Sequence, residues 1–135
     1  PTSTHWNISR TSIKRASQRL YQPRNRCLLI DKSLEYTGND PEFLVEVLAE
    51  LVVLTEDHIK WMMNHLNTQN ISSCSRYSHC IRGAAAQLWC ISLRDTSEEL
   101  HTAITNADRK TAQDCVVNVR ASCQELKCYV DSLFS

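Results

Sequence analysis

Residues 40–66 read DPEFLVEVLAELVVLTEDHIKWMMNHL. Asp40 followed by Pro41 is a helix start. The aspartate can cap the first free amides, and proline is tolerated at the first helical position because its missing N–H has no partner there. Glu42 places a carboxylate at the positive end of the helix dipole. From there Val45, Leu48, Val52, Ile59, Met62 and Leu66 form one apolar stripe at helical spacing. Leu44, Val47, Leu51, Leu54 and Trp61 form a second stripe beside it. Glu42, Glu46, Glu50 and Asp57 keep to a narrow polar side. A helix this apolar is covered on most of its circumference. The stretch therefore predicts a central helix over 41–66 and an all-α fold.

The rest of the chain agrees. Its 135 residues hold two glycines, Gly38 and Gly83, and three prolines, Pro1, Pro23 and Pro41. A domain of this size ordinarily carries roughly nine and seven. Tight hairpins and glycine-rich phosphate loops need glycine at positive φ, so P-loop, dinucleotide-binding and multi-strand hairpin folds are excluded. After the polar connection 67–72, apolar spacing predicts a long helix over 73–106 and a last one over 109–134. In the first, Gly83 beside Ala84, Ala85 and Ala86 is read as a place of close helix approach. Upstream, Trp6, Ile13, Ala16 and Leu20 suggest a helix over 4–22 capped by Ser3 or Thr4. Pro23 interrupts it, and a second segment follows over about 25–36. The expected architecture is one domain, residues 1–135, folded as an elongated up-down antiparallel four-helix bundle whose first helix, 4–36, is split at Pro23.

Net charge is zero but unevenly spread. Residues 1–32 hold Arg10, Lys14, Arg15, Arg19, Arg24, Arg26 and Lys32 against Asp31 alone, and the remainder is correspondingly acidic. The chain has no apolar run long enough to span a bilayer. No secretory leader is visible, and a start at Pro1 suggests an excised or processed piece. Seven cysteines, at 27, 74, 80, 90, 115, 123 and 128, are odd in number and fit no disulfide framework. They read as reduced core residues of a cytoplasmic protein.

Chemistry is sparse. A di-iron bundle needs two Glu-x-x-His motifs, and the chain has only Glu98-x-x-His101. Cys74, His79, Cys80 and Cys90 lie close in sequence but lack the paired spacing of a zinc site. The histidines at 5, 58, 65, 79 and 101 come with no signature that selects a cysteine nucleophile. Glu42, Glu46 and Glu50 repeat as a solvated face rather than an acid–base pair. The expectation is a protein that is not an enzyme, with no cofactor and no metal. The basic residues Arg10, Lys14 and Arg19 either pack beside the acidic helix 41–66 or meet a partner. Glu46 and Glu50 on that helix, with Trp61 and Met63 near its end, complete the candidate partner-binding set. Lys14-Arg15-Ala16-Ser17 has the form of a basophilic kinase site, which makes Ser17 a candidate phosphosite.

The stretch 100–107, LHTAITNA, and the stretch 116–131, VVNVRASCQELKCYVD, follow a second helix opened by Asp40-Pro41-Glu42-Phe43. In helix order, length and small-residue packing this resembles the focal-adhesion-targeting and vinculin/α-catenin/talin type of helical bundle. The resemblance implies a cytoskeletal or cell-adhesion scaffold that takes an amphipathic helix of a protein partner into a groove between its own helices. Two alternatives remain open at this point. One is a secreted four-helix cytokine-like ligand, for which Asn7 and Asn70 offer glycosylation sequons. The other is a bundle that binds anionic lipid or nucleic acid through its basic N-terminal helix. Oligomeric state is not specified by the sequence.

Overall fold

The computed structural model describes residues 6–22, 25, 27–68 and 70–135. These carry six α-helices: α1 (Arg10–Ser17), α2 (Ile30–Tyr36), α3 (Pro41–Leu66), α4 (Ser75–Gln87), α5 (Ile91–Thr105) and α6 (Arg109–Phe134). A 3-10 turn, Ile71–Cys74, leads into α4. The all-α class is as expected, but the count is six helices rather than four. The expected split at Pro23 and the caps Ser3 and Thr4 lie outside the described residues.

α3 and α6 run as their sequences dictate. Asp40 Oδ1 accepts the Phe43 N–H at 3.1 Å, and Asp108 Oδ1 accepts the Thr111 N–H at 3.1 Å. Both are N-caps that satisfy otherwise orphaned amides. At 26 residues each, these helices are about 39 Å long. Their facing sides bury Leu44, Leu48, Val52, Ile59 and Met62 against Val116, Val119, Leu126, Val130 and Leu133. α3, α4, α5 and α6 each pack on the next to close a ring around this core, while α1 lies against α3 and α6.

The predicted helix 73–106 is two helices. It breaks at Leu88-Trp89-Cys90, with Trp89 in the left-handed region at φ +57°. The Cys90 N–H closes on Ala85 O at 2.9 Å and the Trp89 N–H on Ala86 O at 3.2 Å, the paired closure of a Schellman cap. No glycine or proline marks the site. α2 holds it instead: the Leu29 N–H donates to Trp89 O at 3.2 Å, and the buried Ser33 hydroxyl donates to Leu88 O at 2.5 Å. The same closure ends α5 at Ala107 (φ +56°), where the Asp108 N–H reaches Ala103 O at 2.9 Å. It also ends α2, at Gly38 (φ +69°) with Asn39.

The basic first element is also shorter than expected. Ser9, inside the helix expected over 4–22, is the N-cap: its Oγ accepts the Ser12 N–H at 3.2 Å, so α1 begins at Arg10. Trp6 lies before the helix. It donates from Nε1 to Asp131 Oδ1 at 2.6 Å and stacks on Phe134 with ring centres 6.0 Å apart. Tyr129 Oη donates to Leu20 O at 2.5 Å. The stretch 6–22 thus clamps the C-terminal turns of α6. No helix among the described residues is long and apolar enough to cross a membrane.

Candidate functional site

α4 buries Ser78, Ile81 and Ala85 toward the core. Beside that face, toward α5, stand His79, Arg82 and Gly83, at the i, i+3, i+4 spacing that puts three residues side by side. His79 is exposed; Arg82 and Gly83 are half-buried. Arg82 Nη2 donates to His79 Nδ1 at 3.0 Å, and Arg82 Nη1 pairs with Glu98 Oε1 of α5 at 3.1 Å. Its Nε–H is buried with no acceptor. A Cβ built on Gly83 would meet nothing within 4 Å. The expectation that this glycine serves close helix packing is therefore corrected. It leaves a flat, open surface beside His79, although glycine inside a helix costs roughly 0.5–1 kcal/mol relative to alanine.

His101 of α5 stands across from His79, the ring centres 5.6 Å apart and tilted by 50°. Its Nδ1 lies 2.9 Å from the buried Ser78 hydroxyl, which itself donates to Ser75 O at 3.0 Å. The break at Trp89 makes this arrangement possible. On one continuous helix, residues 79 and 101 would lie about 33 Å apart. Folding back instead turns Arg82 onto Glu98 and His79 onto His101 across the hairpin.

A separate aromatic group joins α3 and α4. Trp61 of α3 stacks on His65 at 3.4 Å and on Tyr77 of α4 at 4.2 Å, and His58 meets the Tyr77 edge at 4.9 Å. Burial lowers the His58 pKa against the opposing pull of Asp57. These rings join α3 to the side of α4 turned away from His79.

The other residues singled out from sequence are dispersed. Arg10 and Lys14 are exposed on α1. Arg19 is engaged within the chain, donating from Nη1 to Leu133 O at 3.3 Å and to Ser135 O at the end of α6. Ser17 is half-buried and donates to Lys14 O at 2.7 Å. Glu46 and Glu50 are exposed on α3 and line a groove of about 540 Å3 with Trp6, Ala49, Val53 and His58. Met63 is exposed, its sulfur 4.0 Å from Arg120 Nη1. The structure brings Arg10 and Glu46 to one depression with Asp40 and Glu42, and it brings none of the set to His79. Of the four residues weighed as a zinc group, Cys74 and Cys90 are buried while His79 and Cys80 are exposed; among the described residues no group of three could hold a metal.

Sequence reasoning passed over the His79–Arg82–Gly83 face. The available signal was a glycine inside an otherwise glycine-free helical stretch, four residues after a histidine and one after an arginine.

No family model matches the chain. It is 20% identical over 96 residues to the phosphorelay intermediate protein rdeA of Dictyostelium discoideum, which covers 71% of the chain and 38% of that protein. The chain thus spans well under half the length of this relative. Among solved structures, a rice chain described as a histidine-containing phosphotransfer protein superposes with a TM-score of 0.70 at 15% identity, over 94% of this chain and 91% of that one. A histidine-containing phosphotransfer protein from maize superposes with a TM-score of 0.73 at 14% identity, over 90% and 94%. These findings overturn the resemblance to focal-adhesion and vinculin-type bundles, and with it the cytoskeletal and adhesion setting. The generic scaffold reading goes too, as do the cytokine-like and lipid- or nucleic-acid-binding alternatives. Helix count and length did not discriminate, because any amphipathic bundle shares them. The chain has the fold of the histidine-containing phosphotransfer proteins of rice and maize.

Proposed function

We propose that the chain is a phosphoryl carrier of a phosphorelay, and that His79 takes a phosphoryl group from one protein and passes it to another. The observation that carries this reading is the placement of His79: exposed on α4, with the Arg82 guanidinium at its Nδ1 and an open glycine beside it. Each part suits the chemistry. An imidazole nitrogen is a competent nucleophile toward phosphorus, and exposure lets a partner's active site reach it. Arginine stays charged and binds phosphoryl oxygens through a rigid fork of donors. Gly83 allows a partner surface to approach the ring closely. His79 is exposed on the surface of α4, so the partner supplies the rest of the reaction site. A carrier of this kind is loaded and unloaded rather than turning over substrate, and its partners are proteins.

The test is phosphorylation of the chain by phosphoramidate, a small donor that transfers to imidazole, or by a partner kinase. The wild-type chain should acquire one acid-labile, base-stable phosphoryl group. His79→Gln should abolish it, while His58→Gln and His65→Gln should retain it. Labelling of H79Q at the wild-type level would refute the assignment.

A further inference from the structure

We infer that His101 is the proton acceptor for phosphorylation of His79, an inference that rests on the phosphoryl-carrier reading and deepens it. A guanidinium only donates, so the Arg82 Nη2 contact at 3.0 Å makes His79 Nδ1 an acceptor and leaves its proton on Nε2. Nε2 is the nitrogen left free for a phosphoryl group, and in this state it carries a hydrogen where the new bond must form. Ser78 sets the opposite tautomer on the other ring. With its single hydroxyl proton given to Ser75 O at 3.0 Å, the assignment on which the inference turns, its oxygen accepts from His101 Nδ1–H at 2.9 Å. That leaves His101 Nε2 with a lone pair. The two rings, 5.6 Å apart between centres, thus present a donor and an acceptor on neighbouring helices, a separation that one bridging water can span.

The step balances. His79 Nε2 bonds to phosphorus as its proton passes to His101 Nε2, and the donor's P–O or P–N bond breaks with its electron pair leaving on the donor group. The products are a neutral phosphoimidazole whose Nδ1 still accepts from Arg82, and a His101 imidazolium beside the new phosphoryl dianion. That cation is charge-complementary to the group just received, and in the reverse direction it returns the proton to Nε2 as the phosphoryl leaves. Arg82, anchored on Glu98, is the positioning residue that holds the His79 tautomer. A divalent metal shared by the two rings is the poorer reading of the pair, because the Arg82 charge sits on one of the would-be ligands.

The experiment uses the full chain with phosphoramidate and follows the rate of phosphohistidine formation at about pH 8. His101→Gln keeps polarity and size but cannot accept a proton, and should slow the reaction at least about tenfold with the final extent unchanged. Ser78→Ala, which frees the His101 tautomer, should slow it less. The second readout is independent of rate. Side-chain 15N–1H spectra should show His79 protonated at Nε2 and His101 at Nδ1 in the free chain, with His101 doubly protonated once His79 is phosphorylated. H101Q within twofold of wild type, or His101 neutral beside phosphorylated His79, would overturn the inference while leaving His79 as the acceptor. A label that survives in H79Q would instead overturn the carrier reading on which it rests.

Discussion

Ala107 sits at φ +56° and is exposed, with its N–H and that of Asp108 closing the end of α5. An L-residue in this region meets its own carbonyl through Cβ, at a cost of about 1–2 kcal/mol that glycine escapes. Against this, glycine adds about 0.4–1 kcal/mol of freedom to the unfolded chain. Ala107→Gly should therefore stabilise the protein by roughly 0.5–1 kcal/mol, raising Tm by a few degrees. The mirror experiment is available in the same molecule. Gly38 has φ +69°, and a Cβ there would meet nothing within 4 Å, so Gly38→Ala changes backbone preference alone. It should destabilise by a similar amount. Ala121, exposed inside α6, is the control: Ala121→Gly should cost about 1 kcal/mol. Urea denaturation of the four proteins, with m-values held equal, reads all three differences. A destabilised A107G beside a neutral G38A would refute the left-handed caps and with them the boundary between α5 and α6.

Three further outcomes follow from the same geometry. Ser33→Ala removes the donor to Leu88 O and leaves a buried carbonyl less satisfied, so it should cost about 1–3 kcal/mol in urea unfolding and speed amide exchange at the α4–α5 turn. Burial pushes the thiols of Cys90 and Cys123 up to about 12. Folded thiols then stay protonated above pH 9 while unfolded ones ionise, so stability is full below the unfolded value and falls as pH rises toward 12, by about 1.4 kcal/mol per pH unit for each thiol. Alkylation at neutral pH should accordingly modify exposed Cys80 and Cys128 first, as read by mass spectrometry. Arg82→Met should slow phosphorylation of His79 by roughly tenfold or more, since charge-assisted hydrogen bonds are worth about 1.5–3 kcal/mol. It should change folding stability by under about 1 kcal/mol, because the Glu98 partner is half exposed.

Much of the fold could be read before the structure, and the reasons are local. Asp40-Pro41 and Asp108 are caps whose function depends on residues three positions away, and α3 and α6 span 41–66 and 109–134 as predicted. The break inside 73–106 has no such mark. Trp89 takes a left-handed conformation that its side chain disfavours, and Leu29 and Ser33, more than fifty residues earlier, hold the turn it makes. Tertiary hydrogen bonds override propensity there. The start of α1 was misplaced for a smaller reason: Ser9 looks like a polar residue on a helix and is in fact its cap. The candidate site was hidden by the same missing turn. His79 and Arg82 are neighbours on one helix and could be paired by counting, but Glu98 and His101 face them only once α5 folds back. Cysteines drew attention because they are numerous; four of the seven are simply buried.

The most direct test of the carrier reading is to locate the phosphoryl group. The wild-type chain, phosphorylated and digested under alkaline conditions that preserve phosphoramidate bonds, is mapped by mass spectrometry. The account predicts one phosphoryl group, on the peptide containing His79, discharged when a partner carboxylate acceptor is added. Phosphate on Ser17, on His101 or on another side chain, with His79 unmodified, would contradict it.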